Sequence, residues 1–370
     1  MKEGRLAVVE SKRNFQDVIE SFSQQAEVPP GNDLSIGTCY ECLASTITEG
    51  SRRHNILSSI YKDRSTLTAP HFVNLFFRAI QYIQLFKEGN LCYSKFCTSE
   101  EWEPILERIF SAEYSDTLRE IMLTKDTATT IYHRYAGPKF IISAFRNGAE
   151  VKVADLGCGA NYGLRGIEVD EPFHTIADNT PNHQFTQLLD NQVNLVEGLA
   201  IDKQNPVDPT VRNWFIACSF YPKELDTIDY VYELEKKLAT RSSKVRFLQE
   251  DLLFPSTAIA ASHFDVVILS TLLYQYPEEN RCTILAEAQR IIQPEGVIII
   301  QDFAIKDPYN SHKLSFNTDW GKNQRGYRTF VMCPNSLKGL YEVLVWSDGR
   351  CHSVDRGQDY NEFLTKTGNM

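Results

Sequence analysis

From Glu150 onward, short runs of aliphatic and β-branched residues alternate with helical runs along the chain. Buried parallel strands have this composition, and their alternation with helices is typical of doubly wound sheets. The strand-like runs are VKVADLG, VNLVEGLAID, VRFLQEDLL, FDVVILSTLL and GVIIIQDFA. Two later runs, YRTFVM and LYEVLVWSDG, have no helix of crossover length and predict an antiparallel pair at one edge. We therefore predict an α/β, doubly wound, mostly parallel seven-stranded sheet.

The sequence before this alternation has a helical pattern. Residues 1–34 are polar and end in VPPGND, a proline and glycine stretch that predicts a loop before the first ordered helix. Residues 35–130 contain several runs with one apolar face. We predict an α-helical cap domain over 35–130, followed by the α/β domain over 131–370 with an insertion at about 165–192. The aromatic-rich run PHFVNLFFRAIQYIQLF can serve either as core or as the face of a homodimer.

Composition limits the partners of the chain. Its formal net charge of -10 is the wrong sign for wrapping a nucleic acid, although a local basic patch remains compatible with it. No run reaches the ~20 apolar residues that a membrane span requires, so we expect no membrane association and a cytoplasmic location. The nine cysteines are an odd number, and the CxxC of Cys39 and Cys42 lacks a matching pair at regular spacing. Reduced thiols and no metal site are expected.

A glycine-rich loop follows the first strand-like run. The segment DLGCGANYG begins at Asp155, and its glycines are Gly157, Gly159 and Gly163. Glycine lets the backbone turn sharply and approach a ligand, and loops of this kind bind nucleotides at the carboxyl end of a first strand. The third glycine stands one position later than in the GxGxxG of dinucleotide-binding loops. Because an acid precedes the loop, a cationic sulfonium ligand with an amino-acid tail fits better than a pyrophosphate. A packing turn without a ligand is the alternative.

The second strand-like run ends at Asp202, where the adenosine ribose is expected in such folds. A carboxylate there can accept hydrogen bonds from both ribose hydroxyls. Asp202 lies much further from the loop than the ~20 residues typical of these folds, which requires the insertion. In a competing register NWFIACSFYPKEL is the strand and Ser219 takes the place of the acid. We prefer Asp202, because TVRNWFIACSF also has a helical pattern.

Three further strand ends carry candidate residues. The third run ends at Asp251 and Leu252, where an acid can accept from an adenine amino group and the next amide can donate to the ring. The fourth run delivers Ser270 and Tyr274 to the same edge of the sheet, and the fifth ends at Gln301 and Asp302. Five such signals in strand order are difficult to attribute to coincidence.

Taken together, these motifs resemble those of the class I S-adenosylmethionine-dependent methyltransferases, which have a Rossmann-like fold. ADLGCGANYG is similar to their first motif, GLAID to the second-strand acid, FLQEDLL to the third motif, and the run from FDVVILS to IIIQDF to the fourth strand, helix and fifth strand. The resemblance covers about 127–307 and implies S-adenosyl-L-methionine as the cofactor and methyl donor. It implies that Asp155, Gly157 and Gly159 line the methionine and ribose end of the cofactor, Asp202 the ribose, and Asp251 and Leu252 the adenine. We also expect Tyr135, Cys158 and Ser270 to contact the cofactor.

Methyl transfer is an in-line displacement, so alignment matters more than strong acid–base chemistry. A hydroxyl or amine acceptor would still benefit from a base, and the candidates are Asp302, Tyr274, His133 and His174. Loops that follow the fifth strand and carry Trp320, Tyr327 and Arg328 are placed to contact a substrate. The negative charge and the bulky cap favour a small or medium organic acceptor, methylated on oxygen or nitrogen. The alternatives are a non-catalytic protein that binds an adenosine cofactor and an NAD-dependent oxidoreductase.

Overall fold

The computed structural model describes residues 14–64, 67–173, 176–254, 258–307, 310–316, 326–333 and 339–368. The chain divides into two compact units. The helical unit is Met1–Thr127 together with Phe220–Thr227, and the sheet unit is Ala128–Ser219 together with Ile228–Met370. The chain therefore leaves the sheet unit after Ser219, contributes eight residues to the helical unit, and returns.

Helices make up the regular structure described in the helical unit. They are α1 (Gln16–Glu27), α2 (Leu34–Thr46), α3 (Arg52–Asp63), α4 (Ala69–Ile83), α5 (Ser99–Ile109) and α6 (Ser115–Thr124), with short helical turns at Pro30–Asn32, Gln84–Glu88, Cys92–Lys95 and Pro222–Glu224. The prediction that 1–34 has no ordered helix is wrong, because α1 lies within it. Val18 and Phe22 lie one turn apart and are fully buried, so α1 has an apolar stripe too narrow to stand out in a polar sequence.

The aromatic-rich run forms α4, which lies in the core of the helical unit. Twelve of its fifteen residues are buried. Phe76 packs against Phe22 and Phe110, with ring centroids 5.8 Å apart in both pairs, and Phe77 packs against Trp102 at 6.2 Å. This run was predicted to serve either as core or as the face of a homodimer, and its burial shows that it forms part of the core.

The segment Phe220–Thr227 is anchored on α4 and on the loop before α2. Gln81 donates to the Phe220 carbonyl at 3.1 Å, and Arg78 donates to the same oxygen. The Arg78 guanidinium also lies 5.1 Å from the centre of the Tyr221 ring. The Lys223 amide donates to Asp33 at 2.7 Å. Both sides of the segment are thus tied to the helical unit.

The sheet unit alternates strands and helices as the sequence pattern predicts. Its strands are β1 (Val151–Leu156), β2 (Ala177–Asp178), β3 (Leu195–Asp202), β4 (Val245–Gln249), β5 (Phe264–Ser270), β6 (Ile292–Asp307), β7 (Asn310–Phe316), β8 (Tyr327–Met332), β9 (Leu340–Trp346) and β10 (Ser353–Arg356). Its helices are α7 (Ala136–Arg146), α8 (Tyr162–Glu168), α9 (Gln184–Leu189), α10 (Pro209–Ser219), α11 (Thr227–Ala239), α12 (Glu278–Ile291) and α13 (Tyr360–Lys366).

The strands form one mixed sheet in the order β2-β10-β9-β8-β6-β5-β1-β3-β4, with β7 paired to β6. Strands β4, β3, β1, β5 and β6 run parallel, whereas β8, β9 and β10 continue from β6 in antiparallel pairs. The α/β fold and the antiparallel edge are therefore as predicted. The sheet is mixed, however, and the predicted number of seven strands is wrong, since ten strands are described. The additional strands β2, β7 and β10 are short or polar, so their pairing partners rather than their own composition define them.

Of the parallel strands, β1, β3, β5 and β6 are buried on both faces. Along β1, Val151 and Val153 join one apolar cluster, whereas Ala154 and Leu156 join the other. From β1 the chain moves outward through β3 and β4, and then returns to the other side of β1 at β5. This reversal creates a switch point between the carboxyl ends of β1 and β5, where open sheets of this type bind ligands.

The predicted insertion at about 165–192 contains the end of α8, strand β2 and helix α9. The carboxylate of Asp178 organises it. One oxygen accepts from the amide and hydroxyl of Thr180 at 2.8 and 2.7 Å, and the other accepts from the amide and hydroxyl of Thr186 at 2.9 and 2.8 Å. Partial burial alone would raise the pKa of Asp178, but these four hydrogen bonds lower it below its ordinary value.

We expect Asp178→Ala to lower the free energy of unfolding by about 2 kcal/mol at pH 7, since hydrogen bonds to a charged group are lost. Because the folded-state pKa is depressed, this stabilisation is present above about pH 4 and disappears as the pH falls through the folded-state pKa. Urea unfolding of the variant and of wild type at pH 7 and pH 3 measures both effects. Asp190→Ala, at an exposed acid after α9, is the matched control. An equal loss for both variants would show that Asp178 does not organise this region.

Candidate functional site

The glycine loop turns back from the end of β1 onto the end of β3. Gly157 has φ +80°, a left-handed conformation that side chains rarely adopt. This turn directs the amides of Gly157 and Cys158 to the Ile201 carbonyl, at 2.8 and 3.0 Å. The Gly159 amide then donates to one Asp202 carboxylate oxygen at 2.9 Å. Two of the predicted site residues, Gly159 and Asp202, are therefore in direct contact.

The remaining loop amides also donate within the protein. The Ala160 amide donates to the Thr130 hydroxyl at 3.3 Å, and the Asn161 amide donates to the Cys158 carbonyl at 3.0 Å. Each amide from Gly157 to Asn161 thus has a protein acceptor. Loops that hold phosphate groups direct several of these amides toward the ligand. The loop therefore lacks the donors that a pyrophosphate site requires.

Asp155 offers a hydrogen-bond acceptor beneath this loop. Its carboxyl group is fully buried, and one oxygen accepts from the Tyr135 hydroxyl at 2.8 Å. Its second oxygen has no partner within the described part of the chain. The pKa of Asp155 is raised to about 7. Burial is the main cause, the Tyr135 hydrogen bond opposes the increase, and the negative charge of Asp202 adds to it. A cationic donor placed here would satisfy the second oxygen and stabilise the carboxylate.

Gly163 explains the unusual spacing of the glycines. A Cβ atom at this position would lie 2.0 Å from Cζ of Tyr135, so a side chain there would overlap the ring. Gly163 lies in α8, where it lets the Tyr135 ring approach the helix backbone. The late glycine therefore serves the packing that places the Tyr135 hydroxyl on Asp155. The glycines of the loop itself are Gly157 and Gly159.

The structure places Asp202 at the end of β3, and it places Ser219 at the end of helix α10. The register with Asp202 as the strand-end acid is therefore present, and the competing register is wrong. Asp202 accepts the Gln204 amide at 3.0 Å on the oxygen that Gly159 does not use. Burial raises the pKa of Asp202, and these backbone donors oppose that increase. Each oxygen retains capacity for a further hydrogen bond.

The other predicted cofactor residues lie around the same edge. Asp251 follows β4 and accepts the Leu253 amide at 3.0 Å, and half-buried Leu252 packs against the apolar cluster that contains Leu156. Ser270 ends β5. Cys158 is buried, and burial raises the pKa of its thiol well above the ordinary value, so it is a neutral packing group.

A second buried carboxyl group lies on β6. Asp302 accepts the Phe303 amide at 2.8 Å and the Tyr274 amide at 3.2 Å. Burial raises the pKa of Asp302 to about 7, while these amides and the charge of Arg134 oppose the increase. The Tyr274 ring packs edge-on against Phe303 at 5.3 Å, and burial raises its pKa to about 12. The raised pKa of Asp302 places this carboxyl near neutrality, where a general base is most effective.

The remaining described candidates are His133, which precedes α7, and two residues of β8, where Arg328 pairs across the sheet with Asp302. His133 is half-buried and packs edge-on against Phe173, with ring centroids 6.3 Å apart. Tyr327 is buried on β8, and Arg328 beside it lies 3.7 Å from the Glu342 carboxylate. His174 and Trp320 lie outside the described residues.

Sequence reasoning missed the roles of Arg134 and Thr271. Arg134 is buried in the short helix Tyr132–Tyr135, donates to the Gly349 carbonyl at 2.7 Å and lies 5.8 Å from the centre of the Tyr327 ring. Thr271 follows β5 directly and bonds to the Tyr327 hydroxyl. In the sequence, Arg134 is marked only by its position between two candidate site residues, His133 and Tyr135.

A separate cleft of about 840 Å³ opens at the opposite edge of the sheet, near the starts of β1, β3 and β4. Gly148, Leu195 and Lys244 are among its lining residues, and none of the predicted site residues lines it. The cleft is therefore a surface groove that is separate from the site at the strand ends. Within the described ranges, no group of three metal-ligating side chains is found, and no helix is long and apolar enough to cross a membrane.

Residues 217–300 match the family model described as "Methyltransferase domain". The chain contains a methyltransferase domain. The match begins at the end of α10 and ends within β6, so it includes Asp251, Leu252, Ser270 and Tyr274. S-adenosylmethionine is the cofactor that this domain indicates. No curated protein sequence matches the chain.

Solved structures also show a distant likeness to the methyltransferase domain. One is a complex between the Haloferax volcanii Trm112 methyltransferase activator and a putative methyltransferase, at 16% identity over 48% of this chain and 57% of that chain, with a TM-score of 0.29. Another is the N-methyltransferase NodS from Bradyrhizobium japonicum WM9 in complex with S-adenosyl-L-homocysteine, at 15% identity over 46% of this chain and 60% of that chain, with a TM-score of 0.25. This chain thus spans less than two thirds of either chain, and TM-scores this low add nothing to the assignment.

Proposed function

We propose that the chain transfers the methyl group of S-adenosylmethionine to an oxygen or nitrogen atom of a small or medium organic acceptor. One observation carries this proposal: the glycine loop presents an unsatisfied buried carboxylate oxygen on Asp155 while its own amides are already used. That arrangement fits a ligand with a cationic amino-acid end. It does not fit the pyrophosphate of NAD, which counts against the oxidoreductase alternative.

In this proposal, three acids at the strand ends hold the cofactor. Asp155 would accept from its ammonium group, Asp202 from the ribose hydroxyls, and Asp251 from the adenine amino group. The cofactor supplies an electrophilic methyl group on a sulfonium. The protein would align the acceptor with it, and Asp302 would remove the proton from a hydroxyl or amine acceptor. Tyr274 and His133 are the further candidates for that proton transfer.

Other parts of the proposal concern organisation. We propose that residues 35–130 act as a cap for the acceptor, that 131–370 is the catalytic domain, and that the protein acts in the cytoplasm without binding nucleic acid. A homodimer remains a prediction.

An experiment separates this proposal from the alternative of a non-catalytic protein that binds the cofactor, because only a methyltransferase transfers the radiolabel to an acceptor. Incubation with radiolabelled S-adenosylmethionine and a cell extract tests it, and binding of the cofactor without labelled product would favour the non-catalytic alternative.

Cofactor binding should depend on pH in a direction that Asp155 sets. The pKa of this carboxyl is raised to about 7 in the absence of ligand, and a cationic ligand requires its ionised form. Affinity for S-adenosylhomocysteine should therefore fall by up to about tenfold per pH unit below pH 7, and level off above it. Calorimetry between pH 5.5 and 8 measures the affinity. Titrations in two buffers of different ionisation enthalpy should show that binding releases a proton, and no proton release would argue against Asp155 as the partner of the ammonium group.

A further inference from the structure

Thr271 adopts a backbone conformation that its side chain opposes. It has φ +55°, in the left-handed region, directly after the last residue of β5. Left-handed backbone is unfavourable for a non-glycine residue, and a β-branched residue there is an outlier. Such residues persist only where their surroundings hold them, and they concentrate at functional sites.

Three hydrogen bonds hold Thr271. Its amide donates to the Gln301 carbonyl at 2.7 Å, and its carbonyl accepts from the Gln275 side chain at 2.6 Å. Its hydroxyl lies 2.6 Å from the hydroxyl of Tyr327, and both groups are buried. The first two bonds involve only the backbone of Thr271, whereas the third involves its side chain. The Tyr327 hydroxyl is therefore the distant group that fixes the side chain of Thr271.

The same bond belongs to a longer buried network. The Gln301 side-chain amide donates to the Tyr327 hydroxyl at 3.4 Å and to the Arg134 carbonyl. Its oxygen accepts from the Thr329 hydroxyl at 2.8 Å, which in turn accepts from the Trp346 indole at 2.8 Å. Buried networks whose members are all satisfied rigidify the groups that they join. This one joins the segment that carries Arg134 and Tyr135 to the loop that follows β5.

The loop after Thr271 touches both halves of the candidate site. A Cβ atom at Gly157 would lie 2.8 Å from Cδ1 of Leu272, so this side chain rests directly on the glycine loop. Three residues after Thr271, the Tyr274 amide donates to Asp302. The conformation of Thr271 therefore determines where the chain meets the cofactor loop and where it meets the second buried carboxyl.

We propose that Thr271 is a positioning residue of the proposed methyltransferase site, held in its strained conformation by Tyr327 so that Leu272 and Tyr274 are fixed before ligands bind. This inference rests on the proposed function. Fixing a loop in advance lowers the entropy that binding must overcome. A protein that keeps a strained residue for its function is less stable than the same protein with a relaxed residue at that position. Stability and ligand affinity should therefore respond differently to substitutions at this position.

Three variants separate the hydroxyl from the strain. Thr271→Ser keeps the hydroxyl and should bind S-adenosylhomocysteine within about twofold of wild type. Thr271→Val keeps the shape and loses the hydroxyl, and should bind about five- to tenfold more weakly. Thr271→Gly loses the hydroxyl but adopts the left-handed conformation without strain. It should have a higher Tm than Thr271→Val and yet bind as weakly. Calorimetry and thermal unfolding of the full chain give both quantities.

Hydrogen exchange provides a readout that does not depend on the cofactor. Amides of Tyr274, Gln275 and Tyr276 all donate within this loop or to Asp302, so their protection reports its order. They should exchange faster in Thr271→Val, Thr271→Gly and Tyr327→Phe, and at the wild-type rate in Thr271→Ser. Affinity that follows Tm across the variants, or unchanged protection in all of them, would overturn the inference. Failure of wild type to bind S-adenosylhomocysteine would instead overturn the proposed function, and the exchange rates would still decide whether Thr271 positions the loop.

Discussion

Replacing Asp302 with asparagine is expected to slow methyl transfer by about 10²- to 10⁴-fold, the range over which a positioned general base contributes. The carboxyl is buried with a pKa raised to about 7, so about half of it is ionised at neutral pH, and the ionised form is basic enough to accept a proton. Asparagine preserves the shape of the side chain but cannot take a proton, and its single oxygen can accept only one of the Phe303 and Tyr274 amides, which use different oxygens of the carboxylate. The initial rate of label transfer from S-adenosylmethionine to acceptors in a cell extract measures the effect.

The specificity of this result depends on two controls. Affinity of Asp302→Asn for S-adenosylhomocysteine should remain within about twofold of wild type, because Asp302 is proposed to face the acceptor. His133→Gln and Tyr274→Phe each remove one of the other candidate bases and should slow transfer much less. Transfer by Asp302→Asn at the wild-type rate would mean that the acceptor needs no base or that another candidate residue supplies it.

Replacing Asp155 with asparagine should weaken binding of S-adenosylhomocysteine by about 10- to 150-fold, which corresponds to the roughly 1.5–3 kcal/mol of a hydrogen bond to a charged group. The variant loses the charge that pairs with the ammonium group and keeps an acceptor for the Tyr135 hydroxyl. Calorimetry at pH 7.5 measures the change, and the pH dependence of binding should disappear with it.

Asp302→Asn is the matched control for this second experiment as well. Both acids are fully buried, and burial raises both pKa values to about 7. Only the substitution of Asp155 should change cofactor affinity and its pH dependence. Equal losses in the two variants would point to a general effect of removing a buried charge, and thermal unfolding would then show a matching change in Tm.

The sequence was informative where burial and backbone geometry restrict the choice of residues. Strands β1, β3, β5 and β6 are buried on both faces, so only runs of aliphatic residues can form them. The strand-end positions of Asp155 and Asp202 follow from those runs. The turn at Gly157 was also predictable, because its left-handed backbone favours glycine.

Other features depend on contacts that leave no local pattern. The Thr271–Tyr327 bond joins residues 56 positions apart, and the Gln301–Thr329 bond joins residues 28 positions apart. A threonine at the end of a strand also argues locally for extended backbone, whereas tertiary contacts hold Thr271 in the left-handed region. Helix α1 was missed because its local pattern is weak: its buried face rests on a few residues such as Val18 and Phe22.

The course of the chain through Phe220–Thr227 has a consequence for proteolysis. A protease that cuts only between Thr127 and Ala128 would leave a second fragment that still contains this segment. The segment is bound to the first fragment through Arg78, Gln81 and Asp33. The nicked protein would therefore migrate as one species on a native column and as two on a denaturing gel.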